Sequence, residues 1–473
     1  MWIRKNHLDL LKGRHLPIPT QIVSNEEFYP MSQTAEQARI EKRLFEMAGE
    51  KARRLGMSRR EFLKTSGGMA TAFLAMNEVF GPVFNVGVAE AMEAAAYNEA
   101  WPKDQFIFDA QTHHVKDTIR GPLAMRKITG RLGFNQALAG VTPPEDALHR
   151  ANYLKEIFLD SDTVMSVMSG GAVGPVEEHT LPVEEMVLTR NTMNEIAGSQ
   201  RMLSHGLADP VRAGAIEELE RQATELNIDG WKCYTGNPYA PWRMDDQQIA
   251  YPFLEKAIEL GITNVSVHKG LPLSMRAKEF FIPDDIPRAA KDFPDINFIV
   301  YHSGMRHMMA NLPPTMTGLG DNGYIEWTTD LCNARMANPD MTNVYMELGG
   351  VFGFSVITNP DVCGHLLGQI IKAFGADHMI WGTDCIWFGS PQWQIEAFRR
   401  FQIPEALQEE YGYAAITDAD RDRVFGLNVA GLYGVDVDAA REAVAGDAIQ
   451  NLRAEYREAG AEPSNTAYGW VRG

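Results

Sequence analysis

The residues best suited to chemistry in this sequence stand at the ends of short apolar runs. One run ends in an acid, an amide and two adjacent histidines, in the stretch FIFDAQTHH at residues 106–114. Because the side chains of a β-strand alternate between its two faces, Asp109, Gln111 and His113 are predicted to point the same way. Histidine nitrogens and carboxylate oxygens bind zinc and similar divalent ions, so this stretch is a candidate metal or proton-transfer site.

Three further polar residues follow apolar runs in the same manner. They are His268 after ITNVSV, His302 after INFIVY and Asp384 after HMIWGT. A single histidine in such a position is usually a hydrogen-bonded structural residue, which is the competing interpretation of each one. Together with His113, four such residues at matching positions favour a shared metal or catalytic site.

Eight apolar runs recur at intervals that suit a repeated strand–helix unit. They end at His113, Ser169, His205, Lys232, His268, His302, Glu347 and Asp384. A βαβ unit takes about 30 residues, which these intervals accommodate. The sequence therefore predicts an α/β fold, a (β/α)8 TIM barrel within residues 101–435, with its reacting groups at the C-terminal ends of the strands. A doubly wound sheet is the alternative, but it does not explain why polar residues end nearly every strand.

The bulk composition narrows the classes of partner. The formal charge of −18 and the pI near 5.2 argue against nucleic acid and anionic membrane surfaces, because those partners require a basic surface. No apolar run is long enough for a transmembrane helix, which needs about 18 residues or more. The four cysteines show neither disulfide nor zinc-ribbon spacing, so free thiols are predicted.

The chain outside the predicted barrel divides into three segments. Residues 1–56 are an N-terminal extension, with an amphipathic helix predicted over residues 34–56. In residues 57–100, the sequence MSRREFLK at residues 57–64 resembles a twin-arginine export signal. A periplasmic or otherwise exported protein is therefore predicted, and a retained helix in a cytoplasmic protein is the alternative. Residues 436–473 are predicted to form a helical tail that covers the barrel or contacts a second subunit of a homo-oligomer.

From residue 106 to about residue 435 the sequence resembles the amidohydrolase superfamily. The resemblance is to its amidohydrolase-related branch, which includes aminocarboxymuconate-semialdehyde decarboxylase and aromatic-acid decarboxylases. It rests on the motifs FDAQTHH, VSVHKG, VYHSG, WGTDC and GLNVAGLYG. The resemblance implies an enzyme that acts on a small-molecule substrate with one divalent metal ion, for which zinc is the preferred choice.

The resemblance also implies roles for individual residues. By the family pattern His113, His268 and Asp384 are metal ligands. His302 is then the catalytic acid or base, and Asp384 shares in moving protons. Gln111 stands where the family pattern Asp-x-His-x-His has its first histidine, and an amide oxygen is a weaker zinc ligand than imidazole. We therefore expect a site formed by Gln111, His113, His268 and Asp384, with a metal affinity that Gln111 lowers.

Two reactions fit such a site. In hydrolysis a metal-activated water attacks a carbonyl carbon while side chains move protons. In non-oxidative decarboxylation the same ligands position a carboxylated substrate and a protonated group replaces the carbon dioxide. We expect a metal-dependent hydrolase that acts on a small carboxylated or cyclic substrate. The alternatives are the decarboxylase and a catalytically silent barrel, for which Gln111 is the strongest argument.

Overall fold

The computed structural model places eight parallel strands at the centre of the protein. It describes residues 2–12, 15–21, 23, 32–101, 103–116, 148–171, 176, 179–272, 275–306, 319–387, 389–461 and 470–472. In chain order the strands are β1 (Trp2–Arg4), β2 (Phe108–Thr112), β3 (Met165–Met168), β4 (Met202–Ala208), β5 (Gly230–Cys233), β6 (Asn264–His268), β7 (Asn297–Tyr301), β8 (Val344–Glu347), β9 (Met379–Ile380) and β10 (Trp470–Arg472). Strands β2 to β9 lie side by side in that order, and each is parallel to the next.

Contacts between β2 and the chain around β9 close this sheet into a barrel. Thr112 forms a parallel bridge with Cys385. The Ala110 amide donates a hydrogen bond to the Trp381 carbonyl at 3.0 Å. The predicted (β/α)8 barrel is therefore confirmed, and the C-terminal ends of its strands surround one mouth.

Burial explains why the apolar runs become strands. All five residues of β6 are buried, as expected for a parallel strand that is covered on both faces. Six of the eight predicted strand ends lie within one residue of the observed ends. The exceptions are His205, three residues before the end of β4, and Asp384, four residues beyond the end of β9. Asp384 has a left-handed backbone with a φ of 59°, which interrupts regular strand geometry there.

Helices surround the barrel. They are α1 (Lys5–Lys12), α2 (Ala35–Arg54), α3 (Arg59–Phe62), α4 (Ser66–Phe80), α5 (Ala94–Ala100), α6 (Arg150–Leu154), α7 (Val183–Ala197), α8 (Ala215–Thr224), α9 (Ala250–Glu259), α10 (Ile286–Asp292), α11 (Thr328–Ala337), α12 (Val351–Thr358), α13 (Pro360–Phe374), α14 (Gln392–Arg400), α15 (Glu405–Tyr411), α16 (Asp418–Asp422), α17 (Asn428–Tyr433), α18 (Val437–Ala445) and α19 (Ala448–Glu458). Local signals mark their ends. In α13 the Asn359 side chain accepts hydrogen bonds from amides of the first turn, Pro360 is the first residue, and Gly375, with a φ of 86°, follows the last.

The N-terminal helices pack through apolar faces. α2 begins in a capping box formed by Thr34 and Gln37, and its residues Ile40 and Leu44 are buried. This amphipathic helix lies against α4, in which Phe73 is also buried. The helix predicted over residues 34–56 is thus present, with its apolar face covered by the rest of the chain.

The chain around α4 also contacts the barrel helix α14. The Arg400 carbonyl accepts a hydrogen bond from the Asn85 amide at 2.8 Å. The Arg400 guanidinium carbon lies 4.7 Å from the centroid of the Tyr97 ring, within cation–π range. Residues 57–100 therefore pack onto the barrel in this structure, while Arg59 and Arg60 remain exposed.

The two ends of the chain meet at one side of the protein. Strand β10 pairs antiparallel with β1. Arg201, at the start of β4, forms a buried ion pair with Asp447, with Nε and Oδ2 2.6 Å apart, and this pair holds the beginning of α19 to the barrel. Within the described ranges, no helix is both long and apolar enough to cross a lipid bilayer.

Candidate active site at the barrel mouth

Three of the four predicted metal ligands meet at the mouth of the barrel. Gln111 belongs to β2, His113 follows that strand, and Asp384 follows β9. Asp384 Oδ1 lies 3.0 Å from His113 Nε2 and accepts a hydrogen bond from Gln111 Nε2 at 2.9 Å. Gln111 Nε2 is also 3.4 Å from His113 Nε2. All three residues are buried, so these contacts are shielded from bulk water.

The His113 imidazole is held from two sides. Its Nδ1 donates a hydrogen bond to the Ser169 carbonyl, and its ring stacks on Trp387 with the centroids 5.6 Å apart. With its proton on Nδ1, a neutral His113 presents the Nε2 lone pair to the Asp384 carboxylate. Two electron-rich atoms 3.0 Å apart repel each other unless a positive charge is close to both, so the pair is arranged to hold a cation or a proton.

The Gln111 amide has an unsatisfied oxygen. Its NH2 group faces Asp384, whereas Oε1 is buried and has no hydrogen-bond partner among the described residues. Leaving a buried amide oxygen without a donor is unfavourable. Half a turn of the amide would exchange its nitrogen and oxygen and direct Oε1 at His113 and Asp384. The same side chain can therefore serve as a hydrogen-bond donor or as a neutral oxygen ligand.

Asp109 fastens together the two segments that carry these residues. Its Oδ1 accepts hydrogen bonds from the backbone amides of Gln111 and Thr383, each at 3.1 Å, and its Oδ2 accepts one from the Thr383 hydroxyl. Burial raises the pKa of Asp109 to about 7, although these hydrogen bonds act against the rise. The sequence placed Asp109 on the ligand face, but it gave no signal for a partner 274 residues away.

His268 and His302 form a second pair at the mouth. His302 Nε2 lies 3.4 Å from His268 Nδ1, and His302 Nδ1 donates a hydrogen bond to the Gly349 carbonyl at 2.8 Å. The His268 ring also stacks on Tyr234, with the centroids 5.1 Å apart. Burial lowers the pKa of His302 to about 4 and the pKa of His268 well below its ordinary value. Both imidazoles are therefore neutral at neutral pH.

Glu347, the last residue of β8, and the nearby glycines Gly349 and Gly350 lie between the two sets of side chains at the mouth. One set contains Asp384 and the other contains His302. Glu347 accepts hydrogen bonds from the His302 amide at 3.0 Å and from the Gly349 amide at 2.5 Å. Burial raises the pKa of the Glu347 carboxyl well above its ordinary value. A Cβ atom on Gly350 would lie 3.5 Å from Asp384 Oδ2 and 3.8 Å from His302 Nδ1. Asp384 and His302 therefore border the same small residue, and the two groups form one site.

The structure does not gather all four predicted ligands. In the part of the chain that is described, no three His, Cys, Asp or Glu side chains are close enough to form a metal-binding group. His268 contacts His302 rather than the His113–Asp384 pair, so its role as a ligand remains a prediction. His205, which ends another of the apolar runs, is hydrogen-bonded to the Tyr433 hydroxyl, 2.7 Å from its Nε2.

The three residues that meet can supply ligands for a divalent cation, provided that half a turn of the Gln111 amide directs its oxygen at the other two. An imidazole nitrogen, a carboxylate and an amide oxygen are all known ligands of such ions, and the first two suit zinc. Gln111 Oε1 has no hydrogen-bond partner among the described residues, and His113 Nε2 faces a carboxylate oxygen 3.0 Å away. With the Gln111 amide turned, coordination of one cation would satisfy both atoms at once.

Comparison with known families places this chain in one of them. The sequence model of the amidohydrolase family matches residues 139–435, more than half of the chain. The chain belongs to the amidohydrolase family. The match confirms the predicted family and, with it, an enzyme of the amidohydrolase-related hydrolase or decarboxylase type. It begins after Gln111 and His113, so those two residues lie outside the matched region. No curated protein is significantly similar to this amidohydrolase in sequence.

Three solved structures illustrate the structural similarities of this amidohydrolase. A probable 2-pyrone-4,6-dicarboxylic acid hydrolase from Acinetobacter baumannii, with citric acid bound, has 10% identity and a TM-score of 0.42, over 69% of this chain and 99% of that one. The 5-carboxyvanillate decarboxylase from Sphingomonas paucimobilis has 14% identity and a TM-score of 0.45, over 70% and 100%. A dihydroxybenzoic acid decarboxylase from Polaromonas, with bound manganese, has 16% identity and a TM-score of 0.37, over 70% and 97%. The fold assignment rests on this chain's own strand pairing.

Proposed function

We propose that this amidohydrolase holds one divalent ion, zinc by preference, at the barrel mouth and hydrolyses a small carboxylated or cyclic substrate. The observation that carries the proposal is the 3.0 Å approach of His113 Nε2 to Asp384 Oδ1 while His113 Nδ1 is engaged by the Ser169 carbonyl. In the neutral form of His113, this arrangement places two lone pairs face to face in a buried site. A bound cation would stabilise it.

His113 and Asp384 would supply the first two ligands. Gln111 would add its Oε1 after half a turn of the amide, and its NH2 group would then face the Glu347 side of Gly349. His268 is proposed as the remaining ligand. When bound, a divalent ion of this kind polarises a carbonyl and lowers the pKa of a water molecule to about 7.

His302 would move the proton. Its Nδ1 is committed to the Gly349 carbonyl, which leaves Nε2 as the basic atom. Because burial lowers the pKa of His302 to about 4, the ring is unprotonated at neutral pH and can accept a proton from the attacking water. It can then return that proton to the leaving group. General acid–base catalysis of this type typically contributes roughly 10²–10⁴-fold in rate.

Glu347 supports decarboxylation as the second candidate reaction. Burial raises the pKa of its carboxyl well above the ordinary value, so this group takes up a proton more readily than an exposed carboxylate does. A decarboxylase needs a proton to replace the carbon dioxide that leaves. The two reactions can be distinguished by what they consume and release. Decarboxylation releases carbon dioxide, whereas hydrolysis consumes water.

Three variants of the full chain test the proposed roles. Asp384→Ala and His268→Ala should lose the ion, whereas His302→Asn should keep it and lose turnover. Metal analysis would be combined with assays of lactones for acid release and of hydroxybenzoic acids for carbon dioxide release. Retention of metal in Asp384→Ala would contradict the proposed site, and loss of metal in His302→Asn would make His302 a ligand.

We also propose export by the twin-arginine route. The support is the sequence MSRREFLK at residues 57–64 and the exposure of its two arginines, Arg59 and Arg60, on the folded protein. Such export carries folded protein with its cofactor in place. It would therefore suit an enzyme whose described cysteines are all unpaired.

A further inference from the structure

Lys232 of β5 lies inside the barrel below the mouth. Its side chain is buried, and Nζ has no hydrogen-bond partner within the described ranges. The preceding residue, Trp231, packs outward against Phe253 of α9, so the alternation along the strand directs Lys232 inward. A buried ammonium group normally has an oxygen acceptor, and Lys232 is an exception that needs an explanation.

Two tyrosine rings form walls around Nζ. It lies 3.4 Å from the centroid of the Tyr301 ring and 4.8 Å from that of Tyr234. Both rings are fixed by their hydroxyl groups, because Tyr301 donates to the Ala110 carbonyl at 3.0 Å and Tyr234 donates to the Gly170 carbonyl at 2.9 Å. Ring faces attract a cation, but they offer no oxygen to its three N–H groups.

The acids that influence Lys232 are engaged elsewhere. Asp384 accepts a hydrogen bond from Gln111, and Glu347 accepts two from backbone amides. Burial lowers the pKa of Lys232 to about 7, and the charges of Asp384 and Glu347 act against that fall. Lys232 is therefore electrostatically part of the mouth without being hydrogen-bonded to either acid.

We infer that Lys232 binds the carboxylate of the substrate through Nζ. The inference rests on the proposed function for its carboxylated substrate and assigns the residue that recognises it. A carboxylate would supply the oxygen acceptors that Nζ lacks, in a charge-assisted hydrogen bond between the rings of Tyr234 and Tyr301. Because Tyr234 also stacks on His268, a substrate held there would lie beside the pair formed by His268 and His302. Lys232 is thus a positioning and specificity residue.

The test compares carboxylates with their neutral amides. The probes are formate with formamide, the smallest such pair, and benzoate with benzamide. Their dissociation constants would be measured at constant ionic strength on the full chain, after dialysis against a chelator and again after addition of zinc. Lys232→Met should weaken carboxylate binding by about tenfold or more and leave amide binding unchanged. Lys232→Arg should retain the preference for carboxylate.

Lys291→Met is the matched control, because it removes one charge from an exposed position on α10 and should change neither class of probe. If Lys232→Met does not fold, Lys232→Gln provides the same comparison. The inference is overturned if wild type binds the carboxylates no better than the amides, or if the loss of Lys232 leaves that preference intact. A covalent carboxyl adduct on Lys232, detected by mass spectrometry of the intact protein, would also overturn it.

The outcomes separate this inference from the proposed function. A Lys232-dependent preference for carboxylates in a chain that takes up no zinc would refute the metal-dependent function and leave the carboxylate site standing. Uptake of one zinc ion without any preference for carboxylates would refute the carboxylate site at Lys232 and leave the metal-dependent function standing.

Discussion

The substitution Gly349→Ala tests the packing that holds the site together. A Cβ atom on Gly349 would lie 2.1 Å from Gln111 Oε1 and 2.5 Å from Glu347 Oε1, whereas ordinary contacts begin at 3.4 Å. Both oxygens would have to retreat by about 1 Å or more. The backbone of Gly349 is not in the left-handed region, so alanine adds bulk without dihedral strain.

Two physical effects set the expected magnitude. Overpacking of a filled interior costs about 1–3 kcal/mol. Displacing Gln111 also weakens its 2.9 Å hydrogen bond to the Asp384 carboxylate, and bonds to charged groups contribute about 1.5–3 kcal/mol. Because part of this bond can re-form after the shift, we expect the free energy of unfolding to fall by about 2–4 kcal/mol.

Urea denaturation in the presence of a chelator is the appropriate assay, because it removes any contribution from bound metal. The control is Gly446→Ala, at which a Cβ atom would meet no atom within 4 Å. That variant should differ from wild type by no more than about 0.5 kcal/mol. Equal stability of Gly349→Ala and Gly446→Ala would show that Gln111 and Glu347 do not lie against Gly349, and the described site would be wrong.

Three further predictions concern metal affinity, location and pH. Gln111→His should bind zinc more tightly than wild type without loss of the fold, because imidazole is the better zinc ligand; an unchanged dissociation constant would place Gln111 outside the ligand set. Replacing Arg59 and Arg60 together with lysine should trap active protein in the cytoplasm, and an unchanged distribution in cell fractionation would rule out a signal role. Burial disfavours the charged form of Asp162, but Lys103, Arg399 and Arg453 outweigh it and hold its pKa below the usual range. A depressed carboxyl pKa stabilises the fold above the unfolded value of about 3.9, and this contribution is lost as pH falls further. Asp162→Asn should therefore lower the urea midpoint at pH 7, and this midpoint should fall less on acidification than that of wild type. Parallel dependence of the two midpoints on pH would contradict the prediction.

The barrel was predictable because its signals are local. Each strand is an apolar run long enough to be buried on both faces, and the residue after it is polar because it faces the mouth. The end of β6 at His268 follows from its own five residues. The end of β9 does not, because the break there depends on the left-handed backbone of Asp384. That conformation is accompanied by hydrogen bonds between Asp109, on the first strand of the barrel, and Thr383, which follows the last.

The meeting of Gln111, His113 and Asp384 was predictable from the sequence, but the orientations of their side chains were not. The residue types of Gln111, His113 and Asp384 indicated a metal centre, and barrel closure brings them together. The direction of the Gln111 amide depends on Gly349 and Glu347, which come from a strand far along the chain. The packing of residues 57–100 was hidden for the same reason, since its cause is the contact of Tyr97 and Asn85 with Arg400.

The most direct measurement is the metal content of the purified full chain, compared with that of His113→Ala. Elemental analysis of wild type, as isolated and after incubation with zinc, should find about one divalent ion per chain, in keeping with a single ligand set of imidazole, carboxylate and amide. His113→Ala should bind none under the same conditions, because it removes the imidazole that lies 3.0 Å from the Asp384 carboxylate, on which the proposed site is built. A wild-type chain that neither carries nor takes up a divalent ion, or a His113→Ala variant that keeps one, would contradict the account and favour the catalytically silent barrel or a different metal site.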